Sequence, residues 1–244
     1  MNYHSKEGEI PAISHIELAV SEGEFVSIVG PSGCGKSTLL SIIAGLITPC
    51  KGEILLGNGD SDNNDKTDKI GYMLQKDHLF PWRSILSNVL LGLEIQKKKT
   101  PENIKYAHSL LEKYGLTEFK KHKPRELSGG MRQRAALIRT LATRPKILLL
   151  DEPFSALDYQ TRLTVSAEIS AILAAEKVTA ILVTHDIAEA IALSDRVVVL
   201  TNRPARIKNI HQIDIEQTNG SRRKSPKFPE YFDKIWKELK EDEK

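Results

Sequence analysis

Residues 24–38 read EFVSIVGPSGCGKST, and this stretch decides the fold. Phe25, Val26, Ile28 and Val29 form an apolar run too continuous for a strand with one face in water, so it reads as a buried parallel strand. The turn that follows, Gly30, Pro31, Ser32, Gly33, Cys34, Gly35, Lys36, Ser37 and Thr38, fits G-x-x-x-x-G-K-[ST]. Leu39, Leu40, Ile43 and Leu46 then recur at helical spacing. Strand, glycine-rich loop and helix is the order that wraps main-chain N–H groups around phosphates at a helix N-terminus. Lys36 is placed to reach the β and γ oxygens of a nucleotide, and the Ser37 hydroxyl to hold Mg²⁺. A chance loop is the alternative, and the flanking strand and helix count against it.

Outward from this centre, KILLLDEP, TAILVTHD and DRVVVL read as further buried strands, and GEILLG and KIGYML as strands flanking a polar loop at residues 57–69. Strands interleaved with helices argue for an α/β fold with a mostly parallel sheet covered on both faces. The stretch between Gln75 and Pro145 lacks strand runs and carries helical patterns in ILSNVLLGLEI, PENIKYAHSLLEKYGL and MRQRAALIRTLA. The expected organisation is an α/β core over residues 1–75 and 145–203, an inserted helical subdomain over 76–144, and a tail over 204–244. In that tail Phe232, Ile235, Trp236 and Leu239 share one helical face, which predicts docking on the body.

Two carboxylates end the strand ILLLD. At the C-terminal edge of a parallel sheet, Asp151 is placed to hold Mg²⁺ and Glu152 to activate water as general base. An acidic strand cap is the alternative. Gln75 follows IGYML and His185 follows AILVT; each is a candidate for the same site, although a Gln at a strand end is commonly a solvated surface residue and a lone His there usually a satisfied surface or core histidine. Ser128, Gly129 and Gly130, in LSGGMRQR, precede a helix expected from Met131 to about Thr143 and form a second anion site.

Composition excludes several classes. The chain has 244 residues, 40% hydrophobic and 27% charged, enough for a sizeable core. A net charge of +3 is too near neutral for a nucleic-acid binder on bulk charge alone. No apolar run reaches membrane-spanning length and no signal peptide is visible. Cys34 lies inside the glycine loop, so it and Cys50 read as reduced thiols of the cytosol. DSDNND fails as a calcium loop, because its sixth position is Asp65 and its twelfth Gly71.

Taken in order, the glycine loop, Gln75, LSGGMRQR, ILLLDEP, SALD and His185 resemble the ATP-binding cassette (ABC) ATPases of membrane transporters over nearly the whole chain. The resemblance implies a P-loop NTPase core with an antiparallel β portion, ATP and Mg²⁺ as cofactors, and the roles given above to Lys36, Ser37, Gln75, Asp151, Glu152 and His185. It implies a head-to-tail homodimer in which Ser128, Gly129 and Gly130 grip the γ-phosphate of ATP held by the other copy, with Asp158 at the same junction. It also implies transmembrane permease subunits as partners, a solute-binding protein as an indirect one, and a peripheral place on the cytoplasmic face of the membrane.

DHLFPWRSILSNV and LSDRVVVLTNRPARI narrow the likeness to importers of nitrate, sulfonate, taurine and related solutes. Phe80, Pro81 and Trp82 then fall where a helix of the membrane subunit docks; packing inside the helical subdomain is the alternative. Related chains open with a further strand and an aromatic residue that stacks on adenine. Only MNYHSKEGEIPAI precedes Ser14, so that strand is expected to be absent and the start shortened, with Tyr3 as the candidate for the stack. A soluble, non-transport ABC ATPase is the alternative function; it usually shows a long coiled-coil insertion or a second cassette, and neither is visible.

Overall fold

The computed structural model describes residues 2–5, 8–57, 69–216 and 222–241. In chain order the elements are β1 (Asn2–Ser5), β2 (Gly8–Pro11), β3 (Phe25–Val29), α1 (Lys36–Ile43), β4 (Ile70–Met73), α2 (Ile85–Val89), α3 (Leu91–Ile95), α4 (Pro101–Lys113), α5 (Gly129–Leu141), β5 (Ile147–Asp151), α6 (Tyr159–Glu176), β6 (Thr179–Val183), α7 (Ile187–Leu193), β7 (Arg196–Leu200), β8 (Ile207–Gln212) and α8 (Phe228–Glu241). The chain divides into two compact units, residues 1–67 with 179–244, and residues 68–178.

In the first unit β3 is central. It pairs in parallel with β6 (Ile28 beside Val183) and with β7 (Ile28 beside Val198). All five residues of β3 and all five of β6 are buried, the pattern of strands covered on both faces. β8 joins β7 antiparallel, which places a strand in the segment expected to be a tail with a docking helix. Its IKNIHQ sequence is half-exposed and polar, so it carries no apolar signal. α8 packs on this unit: Ile235 is fully buried among Val29, Ile187, Ile191, Val197 and Val199, with Phe228, Tyr231, Phe232 and Leu239 around it. Trp236 is turned partly to solvent, stacked on Phe232 with Lys240 over its ring.

The strand expected to be missing at the start is present. β1 and β2 pair antiparallel, Asn2 beside Pro11 and Ser5 beside Gly8. NYHS has no alternation of apolar and polar residues, and main-chain pairing alone defines it. The segment is also tied onward, since Ile13 bridges Ala205 and Ala205 N–H donates to Ala12 O at 3.0 Å. A second expectation is corrected at GEILLG: residues 52–57 form no strand, and Leu55 is exposed. An apolar run gives the composition of a strand, but strand geometry also needs a regular ladder along an edge, and residues 52–57 do not adopt it. Most of the polar loop at 57–69 lies outside the described residues.

In the second unit β4 and β5 pair in parallel, Met73 beside Leu150. Residues 76–144 carry helices and turns without strands. ILSNVLLGLEI is two short helices, α2 and α3, instead of one. α5 packs against α2, α4, α6 and β4. It begins at Gly129, two residues earlier than the sequence pattern indicates, because Ser128 caps it: its Oγ accepts from the Met131 N–H at 3.3 Å.

Candidate functional site

The glycine loop leaves β3 in the first unit and enters α1 through Gly35. Gly35 has φ +119°, and a Cβ there would meet Ala12 O at 3.1 Å, so the position accepts only glycine. Gly30 is held close for a different reason: its missing Cβ leaves room for Cys34 Sγ and Leu200. Cys34 is thus packed beneath the loop as a free thiol, and burial pushes its pKa up despite the nearby Lys36 and Arg203. Lys36 is buried, with Nζ donating to Gly30 O at 2.8 Å and Pro31 O at 2.9 Å. These bonds hold the loop in a curl around a single ammonium. On one side the loop opens on a cleft of about 390 Å³ lined by Ser32, Gly33, Cys34, Asn202 and Arg203.

His185 belongs to the same unit. It follows β6 and is exposed, while Thr184 before it is buried. Because β3 and β6 are paired neighbours, the glycine loop and His185 leave the same edge of the sheet.

The second unit brings Gln75, Asp151 and Glu152 to the C-terminal ends of β4 and β5. Asp151 is buried, and Tyr72 OH donates to its Oδ2 at 3.4 Å. Glu152 has φ +44°, a left-handed conformation that costs a non-glycine residue about 1–2 kcal/mol. Ser155 holds the turn: its N–H and its hydroxyl both donate to Glu152 O, at 3.2 and 2.9 Å. Gln75 Nε2 in turn donates to Glu152 Oε2 at 3.4 Å and to Ser155 Oγ at 3.2 Å. Gln75 lies two residues beyond β4 and is exposed. Tyr72 and Ser155 escaped the sequence reading, because an isolated Tyr and Ser carry no pattern until the strand ends are adjacent.

Ser128 and Asp158 are both exposed N-caps. Asp158 Oδ1 accepts from the Thr161 N–H at 3.0 Å at the start of α6, and hydrogen bonding from the Thr161 side chain, with that N–H bond second, holds its carboxyl below the ordinary range. The two glycines after Ser128 have a packing role as well. A Cβ on Gly130 would lie 2.7 Å from Val165 Cγ2, and one on Gly129 3.1 Å from Leu157 Cδ2. They let α5 approach α6 closely, a reason for glycine that an anion site alone does not supply. Tyr3 lies in β1 opposite Ile10; the stacking role given to its ring lies outside the described residues.

Phe80 and Trp82 stack on each other, centroids 4.9 Å apart, and Trp82 is 68% exposed. They are not interior packing. The fully buried Asn88 fixes their loop, accepting from Phe80 N–H at 2.7 Å and donating to the carbonyls of Phe80, Arg83 and Ser84.

The donor set suits a hard cation. Ser37 in the first unit, and Gln75 and Asp151 in the second, each carry an oxygen donor of the kind Mg²⁺ takes, and among the described residues no group of three or more His, Cys, Asp or Glu forms a metal cage. Mg²⁺ commonly takes one or two carboxylates, with water and substrate phosphates completing its shell. Among the described residues no helix is long and apolar enough to cross a membrane.

Known proteins resemble this arrangement. The ABC transporter family matches residues 13–155. An uncharacterized ABC transporter ATP-binding protein of Bacillus subtilis (strain 168), YtlC, is 49% identical over 99% of this chain and 94% of its own length. The nitrate import ATP-binding protein NrtD of Synechocystis sp. is 40% identical over 94% of this chain and 88% of its own. Among solved structures, the dimeric post-hydrolysis state of the ATP-binding cassette MJ0796 bound to ADP and Pi is 34% identical, with a TM-score of 0.71 over 87% of this chain and 95% of that one. The mixed α/β architecture is accordingly that of a P-loop NTPase, with a parallel sheet and an antiparallel strand pair. The chain belongs to the ABC transporter family, as its ATP-hydrolysing cassette.

Proposed function

We propose that this cassette is the engine of an importer of the nitrate, sulfonate and taurine kind, working as a head-to-tail pair against two membrane-embedded subunits on the cytoplasmic face. The observation that carries the transport reading is the exposed Phe80–Trp82 stack pinned by buried Asn88. A rigid, amphipathic aromatic pair suits insertion of a partner's helix, since aromatic residues dominate interface energetics. The 40% identity to a nitrate import subunit supports the same solute class.

In this reading the main chain of residues 30–38 wraps the phosphates and Lys36 neutralises the β and γ oxygens. Ser37, Gln75 and Asp151 are the residues that would hold Mg²⁺, which would supply Lewis-acid stabilisation of the phosphoryl charge. Glu152 takes the proton of the attacking water; its left-handed backbone and its bond from Gln75 give the carboxylate one direction. His185 donates to the terminal phosphoryl group, and Tyr3 stacks on adenine. Ser128, Gly129, Gly130 and Asp158 of one copy close over ATP bound by the other. Removal of the γ-phosphate weakens that closure and opens the pair, which turns hydrolysis into motion. A solute-binding protein and the permease select the cargo. In the same proposal residues 1–75 and 145–203 serve the nucleotide, 76–144 the signature and the permease, and 204–244 form the tail with its docking helix.

The test is gel filtration of Glu152→Gln. With ATP it elutes as a dimer, and adding Ser128→Arg returns it to a monomer that still binds ATP. A persistent monomer at saturating ATP overturns the shared-nucleotide pair, and loss of ATP binding in the monomeric Ser128→Arg variant overturns the assignment of Ser128 to the other copy's nucleotide.

A further inference from the structure

The two strands that frame the phosphate loop also frame His185. Ile28 and Val183 are paired across β3 and β6, so Gly30 and His185 each stand two residues beyond a paired position. Between Val183 and His185 lies Thr184, 2% exposed, whose N–H donates to Ile28 O at 3.2 Å. Its hydroxyl donates to Glu189 Oε2 at 2.8 Å and accepts from the Asp186 N–H at 3.1 Å. Asp186 caps α7, its Oδ1 accepting from the Glu189 N–H at 3.1 Å. Glu189 is 4% exposed. A carboxylate that deep is kept only with hydrogen-bond partners, and the hydrolytic chemistry leaves it without a task.

We propose that Glu189 is a positioning residue for His185, fixing through Thr184 the turn that aims the imidazole at the terminal phosphoryl group of the nucleotide. This rests on the reading of His185 as the donor to that group. The bonds close a ring: Glu189 holds the Thr184 hydroxyl, that hydroxyl holds the Asp186 N–H, and the Asp186 carboxylate returns to the Glu189 N–H. His185 is the residue enclosed by the ring. The bond from Thr184 N–H to Ile28 O ties the ring to the strand that leads into Gly30. α7 packs directly on β3, so ring and loop share one rigid support. With the carboxylate removed, the Thr184 hydroxyl turns freely and the His185 main chain shifts, while the phosphate loop keeps its own bonds.

The experiment measures kcat and KM for ATP, with single-turnover hydrolysis, in Glu189→Ala, Glu189→Gln, Thr184→Val, His185→Ala and the double variant His185→Ala with Glu189→Ala. Glu189→Ala and Thr184→Val are expected to lower kcat about 10- to 100-fold, the scale of a misplacement of about 1 Å, with KM changed less than about twofold. Glu189→Gln keeps an amide oxygen for the Thr184 hydroxyl and retains most of the rate. The double variant is no slower than His185→Ala, because a residue acting through another has nothing left to position. If Glu189→Ala slows the His185→Ala protein by the same factor as the wild type, or if the Gln variant is as slow as Ala, the positioning role is overturned while His185 stands. If His185→Ala hydrolyses ATP at the wild-type rate, the reading of His185 itself falls. Where Glu189→Ala fails to fold, Thr184→Val alone and with His185→Ala carries the same comparison.

Discussion

The phosphate loop and the segment LSGGMRQR both present glycines at a helix N-terminus, yet the two regions are secured by different means. In the first, Lys36 is buried under the curl it stabilises, Gly35 sits in a conformation closed to other residues, and Gly30 packs on Cys34 and Leu200. Changing such a group disturbs the core and the ligand site together. In the second, Ser128 and Asp158 are exposed side chains that cap their own helices, and Glu152 and Gln75 meet at the ends of two strands. There a group can be altered with little consequence for the core around it. The lesson is that chemistry and stability are entangled in the loop and separable in the second unit.

The largest expected effect sharpens that contrast. Glu152→Gln keeps the side-chain shape, so turnover falls about 10²- to 10⁴-fold while ATP binding and melting temperature stay near wild type, as read by steady-state assay and calorimetry. A matched fall in melting temperature would break the comparison. Lys36→Ala is the opposite case: nucleotide affinity is lost, and two carbonyls lose a charged donor, worth about 1–3 kcal/mol of stability in chemical denaturation. Unchanged stability there would show that the loop holds its curl without the lysine.

Gly130→Ala asks how far the second unit is separable. The added methyl meets Val165, whose β-branched side chain has little freedom to move. Overpacking of about 1–3 kcal/mol is offset in part by alanine's better helix propensity of about 1 kcal/mol. Denaturation should therefore show a net loss of about 1 kcal/mol, with hydrolysis falling through displacement of α5.

The smallest effect lies away from any nucleotide. Glu176 accepts from Tyr106 and Tyr114 and pairs with Lys113 at 2.7 Å. Burial opposes its ionisation, but these three partners together hold its pKa below the ordinary carboxylate value, and burial beside Glu176 pushes the Tyr106 hydroxyl up to about 12. A folded-state pKa below the unfolded one stabilises at pH values above the unfolded pKa, and the contribution is lost as pH falls through the folded value. Glu176→Gln is thus expected to cost about 1 kcal/mol at neutral pH, with the gap to wild type closing under acid. A gap independent of pH would assign the role of Glu176 to packing.

The sequence by itself determined the buried strands β3, β5, β6 and β7, the phosphate loop, and the candidates for hydrolysis, because each of these is written as a local run or a fixed spacing. What only the tertiary structure decided were the features that depend on a neighbour distant in the chain. β1, β2 and β8 exist through main-chain pairing that leaves no apolar period, and GEILLG, apolar as it is, forms no strand. The left-handed turn of Glu152, the bond from Gln75, the need for glycine at 130 against Val165, and the buried ring of Glu189, Thr184 and Asp186 all arise from packing. Side-chain identity selects local conformation, but hydrogen bonds and steric limits between remote segments are set only when those segments are brought into contact.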